Sequence, residues 1–291
     1  MSIRIENLSK VFPDGKKALD NVSITFKKNK ITGLIGFNGS GKTTTFNVLT
    51  NFIEKHGGNV TINNQPITRE MLTKFSYLAA GAEPKNPTKV RSHLRSIAFL
   101  YEVKKEDADK KIDSLAMRMD FTEFINKPIK SLSKGNQQKI KVISALLNPK
   151  MEYLLLDEPF DGLDPIMVEK IKAIFLELKG VTTILTSHRM DVVNAMCEEF
   201  FVLKEGILVD SRRTDDETII IEVNKEVPVV EIKKLKTVMS VTTKNGKHTI
   251  IANDINAFKE INKKLIASPK YVYSSLKDKD VASSVFEGYG V

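Results

Sequence analysis

The chain opens on short runs whose apolar and polar positions alternate. Ile3 to Leu8 and Val22 to Phe26 read as strands, as does the more uniformly apolar Ile31 to Ile35, with turn residues such as Pro13, Asp14 and Gly15 between them. A glycine-rich segment follows Ile35 and leads into a helix predicted over Lys42 to Leu49, with further strands at Asn59 to Ile62 and Lys74 to Leu78. From Val90 to Ile129 the apolar residues recur every three to four positions, at Leu94, Ile97, Leu100 and then Ile112, Leu115, Met119, which predicts helices. Beyond that stretch, helices (Gln137 to Leu147, Ile166 to Leu178, Val192 to Met196) alternate with apolar strands (Tyr153 to Leu156, Val181 to Leu185, Phe200 to Leu203). Such alternation predicts an α/β fold with a parallel sheet covered on both faces by helices.

Around Ser211 to Asp216 the composition turns polar, and a boundary is expected there, giving domains of residues 1–211 and 212–291. The second reads as a small α+β unit without a chemical motif. Its strands are expected at Thr218 to Val223, Val238 to Lys244, His248 to Ile251 and near Val272, with an amphipathic helix over Ile255 to Ile266. The length of 291 residues agrees with two domains.

Composition narrows the function classes. No apolar run approaches the ~20 residues of a membrane helix, and the first residues mix charge with β-branched side chains, so a cytoplasmic protein is expected. The single cysteine, Cys197, excludes an internal disulfide and is read as a small buried apolar residue. The net charge of +9 is spread in small lysine clusters with no interleaved aromatics, so no nucleic-acid partner is expected.

The chemistry concentrates in the glycine-rich segment. Gly36, Phe37, Asn38, Gly39, Ser40, Gly41, Lys42 and Thr43 fit the phosphate-loop pattern G-x-x-x-x-G-K-[ST] without a mismatch, and Thr44 follows. Backbone amides can wrap phosphates there, Lys42 can reach the terminal phosphates, and Thr43 can ligate Mg²⁺. At the end of the apolar run Tyr153 to Leu156, Asp157 is placed to hold Mg²⁺ and Glu158 to polarise an attacking water.

With these motifs in this order, roughly the first 210 residues resemble the nucleotide-binding subunit of an ATP-binding cassette (ABC) transporter, of the export type. The resemblance implies a P-loop NTPase core with a mostly parallel sheet. It also implies an antiparallel β subdomain, an inserted helical subdomain at about residues 90–130, and ATP with Mg²⁺ as cofactors. It matches the signature to Leu132, Ser133, Lys134, Gly135 and Asn136, the D-loop to Asp161 through Asp164, the switch histidine to His188, and the adenine-stacking aromatic to Phe12, a residue that turn packing would equally explain. Two such subunits would sandwich two ATP molecules, so Ser133 and Gly135 of one would touch the γ-phosphate held by the other. Asp164 would join that nucleotide contact, with Glu158 and His188 as the catalytic pair. The implied partners are a membrane-spanning permease, docked on the helical segment, and a second cassette. The chain would lie on the cytoplasmic face of the membrane through its permease. Ser274 to Phe286 is similar to the tail of export-type members and implies peptide, lantibiotic, toxin or drug export; the tail domain is expected to extend the dimer contact.

Two departures from the family are expected to matter. Lys134 and Asn136 replace the usual glycine and glutamine of Leu-Ser-Gly-Gly-Gln, and Ala79 or Ala80 falls where the family carries a glutamine that touches Mg²⁺, unless Glu83 substitutes for it. Slow hydrolysis is the expected consequence, which also suits one half of a heterodimeric pair. A soluble ABC ATPase acting on ribosomes or nucleic acid is the alternative class, disfavoured by the single phosphate loop and the absence of sustained heptads.

Overall fold

The computed structural model describes residues 2–54, 56–81, 87–213, 218–224, 229–235, 238–244, 247–252, 261 and 273–278. In chain order its elements begin with β1 (Ile3–Val11), β2 (Lys17–Phe26), β3 (Ile31–Ile35), α1 (Lys42–Leu49), β4 (Gly57–Ile62), β5 (Gln65–Pro66), α2 (Arg69–Leu72) and β6 (Phe75–Leu78). They continue with α3 (Val90–Leu100), α4 (Lys105–Arg118), α5 (Lys134–Leu146), β7 (Tyr153–Asp157), α6 (Pro165–Leu176), β8 (Thr182–Thr186), α7 (Met190–Met196), β9 (Glu199–Lys204) and β10 (Ile207–Arg213). The last are β11 (Thr218–Asn224), α8 (Val229–Ile232), β12 (Val238–Lys244), β13 (Lys247–Ala252) and β14 (Tyr273–Asp278).

The central sheet has six strands in the order β10-β9-β3-β8-β7-β6. All neighbours run parallel except β10, which returns antiparallel along β9. Side-chain alternation splits the strands between two cores. In β7, Leu154 and Leu156 face a cluster shared with α3 through α7, whereas Tyr153 and Leu155 face a second cluster with Phe46 and Leu49 of α1. That second face corrects the expectation of helices on both sides. It is covered by α1 together with an antiparallel sheet of order β2-β1-β4-β5, whose Ile3, Ile5, Val22, Phe26 and Ile62 enter the same cluster. Strand β2 starts five residues before the expected Val22 because bulges let the pairing with β1 continue. At the register breaks Asn7 and Asn21 take left-handed backbone (φ 51 and 53), and their amides donate to Ser23 Oγ and Ser9 Oγ.

The predicted helical stretch is α3 and α4 followed by two short 3₁₀ turns at Thr122–Phe124 and Ile129–Ser131. Of its apolar stripe, Leu94, Ile112, Leu115 and Met119 are buried and Ile97 is half-buried, but Leu100 is 79% exposed. Arg91 and Arg95 of α3 clamp Asp109 and Asp113 of α4. Helix α5 begins at Lys134, three residues before the expected Gln137, because Ser133 caps it: its Oγ accepts from the Asn136 amide at 3.3 Å.

In the tail, β12-β13-β11-β14 form an antiparallel sheet over a small cluster of Ile232, Val241, Ile250, Ala252 and Ile261. The expected helix over Ile255 to Ile266 lies, apart from Ile261, outside the described residues, as does Phe286. The start of the tail pattern, Ser274 to Asp278, belongs to β14. Among the described residues no helix is long and apolar enough to cross a membrane.

Candidate active site

Strand β3 ends at Ile35 and the chain turns tightly into α1. Two glycines make that turn possible. At Gly36 (φ 154) a Cβ would stand 2.2 Å from the Leu203 carbonyl oxygen, and at Gly41 (φ 109), the N-cap of α1, one would stand 2.7 Å from the Ala18 carbonyl oxygen. The loop thus lies against β9 and β2. Beside it opens a cleft of about 180 Å³, lined by Phe12, Lys16 and Ala18 on one side and by Asn38, Gly39, Gly41, Lys42, Thr43 and Thr44 along the loop. Ala80, Asp157 and Glu158 close its far side.

Lys42 is buried, and its amine donates to the carbonyls of Gly36 (2.6 Å) and Phe37 (3.0 Å). Burial pulls its pKa below the usual lysine value, and the carboxylates of Glu158 and Asp157 pull it back up. Phosphate oxygens would add to that stabilisation of the charged amine. Phe12 reaches the cleft from the β1–β2 turn, which is closed by hydrogen bonds from the Phe12 amide to the Lys16 carbonyl and from the Gly15 amide to the Phe12 carbonyl. Phe37 is half exposed, and Ser40 is buried with its Oγ among the few buried side-chain atoms that have no hydrogen-bond partner within the described residues.

Asp157 and Glu158 are positioned by the neighbouring strand. Asp157 is paired in register with Thr186, the last residue of β8, and both are buried. The Thr186 hydroxyl donates to Asp157 Oδ1 at 2.6 Å and accepts from the Glu158 amide at 3.1 Å, while the Thr43 hydroxyl donates to Asp157 Oδ2 at 2.9 Å. Glu158 has left-handed backbone (φ 49), unusual for a glutamate, and the carbonyls of Glu158 and Pro159 accept from the buried Gln138 side chain at 3.3 and 2.8 Å. The Glu158 carboxylate in turn accepts from the His188 amide at 3.4 Å and lies 3.0 Å from His188 Nδ1. Thr186 and Gln138 were not singled out from the sequence. Thr186 is two residues before His188 at a strand end, a usable signal; Gln138 acts across 20 residues, and nothing local marks it.

The donor set fits a phosphate chain with a hard divalent cation. One hydroxyl and one carboxylate stand side by side at Thr43 and Asp157, with an unpartnered Ser40 hydroxyl in the loop, and Mg²⁺ is held by few protein oxygens plus phosphates. When bound there, the cation would neutralise charge on the phosphates.

Ser133, Gly135 and Asp164 do not line this cleft. Ser133 is exposed, Gly135 packs on the Gly162 carbonyl, and Asp164 caps α6 by accepting from the Met167 amide at 2.9 Å. Ala80, one of the two alanines expected at the position of the family's glutamine, lines the cleft, and the Lys141 amine on α5 donates to the carbonyls of Gly81 and, at 3.4 Å, Ala79. Glu83 lies outside the described residues.

A family model described as ABC transporter matches residues 19–161. The uncharacterized ABC transporter ATP-binding protein YhaQ of Bacillus subtilis is 38% identical over 208 residues, 70% of this chain and 68% of that protein. The uncharacterized ABC transporter ATP-binding protein MJ1023 of Methanocaldococcus jannaschii is 36% identical over 217 residues, 74% of this chain and 78% of that protein. More distant relatives carry names with different systems in them: an energy-coupling factor transporter ATP-binding protein, EcfA2, of Clostridium perfringens (28% identical, covering 71% of this chain and 76% of that protein) and the lipopolysaccharide export system ATP-binding protein LptB of Escherichia coli (29%, 72% and 89%). The fold matches a solved ATP-binding subunit of an ABC transporter with a TM-score of 0.67 at 23% identity, over 74% of this chain and 91% of that one. The chain belongs to the ABC transporter family, as an ATPase subunit built on the P-loop cassette fold.

Proposed function

We propose that the chain powers a separately encoded membrane permease of the export type, as one of two cassettes that close on ATP between them. The observation that carries this reading is the contact of Glu158 with His188, at 3.0 Å, beside a cleft from which Ser133 and Gly135 are absent. A cleft with phosphate loop, metal-binding pair and base, but no signature, is completed by a signature from a second subunit. In that arrangement Gly36 to Thr44 cradle the phosphates, Phe12 stacks on the base, and Thr43 and Asp157 hold Mg²⁺. Glu158 takes the proton of the attacking water, and His188 orients Glu158 and contacts the γ-phosphate. Ser133, Gly135 and Asp164 serve the partner's nucleotide. The family's permease would hold the chain at the cytoplasmic face of the membrane. Export of peptides, toxins or drugs rests on the resemblance of the tail, and the relative named for lipopolysaccharide export supports the direction alone.

Light scattering on Glu158→Gln after gel filtration tests the pairing. Monomers that become dimers only with Mg-ATP are expected, and a protein that binds ATP but stays monomeric sinks the homodimer. A second reading, a weakly hydrolysing half of a heterodimeric pair, is favoured by Ala80 at the edge of the cleft. A turnover on the order of 1 per second or faster for the unaltered chain alone would count against it.

A further inference from the structure

Lys134 is the side chain that sets this signature apart, and its surroundings are specific. Its Nζ lies 2.8 Å from Asp161 Oδ2, with the two side chains 67% and 50% exposed. Its stem runs over Gly162, where an added Cβ would stand 3.4 Å from Lys134 Cδ, and Gly135 abuts the Gly162 carbonyl, where its own Cβ would stand 2.7 Å away. The signature turn and the loop after Glu158 therefore form one surface. Asp161 also reaches back toward the base, since its amide donates to the Glu158 carbonyl at 3.2 Å.

We propose that Lys134 senses ATP in trans: it leaves Asp161 of its own chain and pairs with the terminal phosphate of the nucleotide held by the facing subunit, returning to Asp161 once that phosphate is gone. The proposal rests on the paired-cassette reading above and assigns a residue to it that the family's usual glycine could not supply.

Three physical arguments carry it. An ion pair as exposed as this one favours its closed geometry by roughly fivefold or less, so it is easily exchanged. A phosphate group with a charge of about −1.5 to −2 outbids a carboxylate of −1 for a compact ammonium on a flexible stem. Third, Asp161 keeps company when the lysine departs. The hydrogen bond from Lys134 is the main cause of its lowered carboxyl pKa, but His188 and Lys141 act on it in the same direction. The exchange thus moves a positive charge toward the nucleotide and leaves the Asp161 carboxylate to the charges of His188 and Lys141.

The test measures, in the Glu158→Gln background, the Mg-ATP concentration at which half of the protein is dimeric by light scattering. Lys134→Ala should raise that concentration roughly tenfold or more, Lys134→Arg should largely restore it, and Asp161→Asn should lower it several-fold by releasing the lysine. A static brace would shift Lys134→Ala and Asp161→Asn in the same direction, and that result, or no shift in either, overturns the proposal. The salt dependence should also be shallower in Lys134→Ala than in its parent. Fluorescent ATP-analogue affinity of each monomer, expected within about twofold of the parent, establishes that the variants fold. Should Glu158→Gln itself never dimerise, the homodimer falls and the lysine's role between two copies of this chain falls with it. A dimerising parent whose variants move together removes the lysine alone.

Discussion

Around the cleft, Lys42, Asp157 and Thr186 are buried; Thr43, Asp157, Thr186 and Glu158 are joined by hydrogen bonds at 2.6 to 3.1 Å, and the Lys42 amine donates to the Gly36 and Phe37 carbonyls. At the signature, Ser133, Lys134 and Asp161 are exposed and joined by one cap and one ion pair. The first region is assembled on the ends of parallel strands, where register alone brings Asp157 to Thr186 and the price of a buried polar group enforces its partners. The second hangs on loops and a helix start, with contacts that cost little to break. On the proposed reading, the residues that wait for another molecule are the ones whose contacts exchange easily, and the residues that hold one ligand are the ones whose contacts do not.

Three substitutions probe that contrast, and a fourth tests an ion-pair clamp outside both regions. Lys42→Ala should lower monomer ATP affinity by about 100-fold, as expected for losing charge-assisted hydrogen bonds to phosphate, measured by calorimetric titration. An affinity that stays within a few-fold would mean the buried half does not hold the phosphates. Thr186→Val removes a hydroxyl that both donates to Asp157 and accepts from Glu158. It should cost about 2 kcal/mol and lower Tm by about 4–8 °C in a thermal melt. Ser133→Ala should cost about 1 kcal/mol through the lost cap while leaving monomer ATP affinity unchanged; a large loss of affinity would show that the signature serves its own chain's nucleotide.

The smallest effect is expected at Asp109→Asn, on the α3–α4 clamp. The Arg95 hydrogen bond holds the Asp109 carboxyl below its ordinary value against the opposing pull of burial. A lowered folded-state pKa stabilises fully above the unfolded-state value of about 3.9 and is lost as pH falls through the folded value. Asp109→Asn should therefore melt about 1–3 °C lower at pH 7, with the gap closing below about pH 4. A gap that stays constant down to pH 3 would assign the loss to packing.

The sequence made much of the first region legible and less of the second. Helix α1, from Lys42 to Leu49, and strands β3 and β12 fall where periodicity and flanking turn residues put them, because each is governed by local pattern. The short β5 and α2 and the strand β10 carry no such pattern. The start of α5 lies three residues before the predicted Gln137 because Ser133, a signature position, also serves as its N-cap. The antiparallel sheet covering one face of the core came from family likeness, since two-residue periodicity says that a strand has a buried side but not what it is buried against. At the site, Thr43, Asp157 and Glu158 were readable as motif positions, whereas Gln138 and the Lys134–Asp161 pair are products of tertiary packing.

The order of the central sheet bears on how the chain is made as well as on what it does. Strand β3, which ends in the phosphate loop, has β8 and β9 as its neighbours, and Ile35 pairs with Val202. A ribosome adding ~5–20 residues per second would deliver β8, the first of these neighbours, on the order of 10–30 s after β3. During that interval β1, β2 and β4 can pair with one another, but β3 has neither neighbour, so the nascent chain carries an unpaired apolar strand and an incomplete nucleotide site. ATP can therefore help the chain fold only after most of it has been synthesised, and a prematurely terminated product ending before β8 would offer its apolar β3 edge to aggregation.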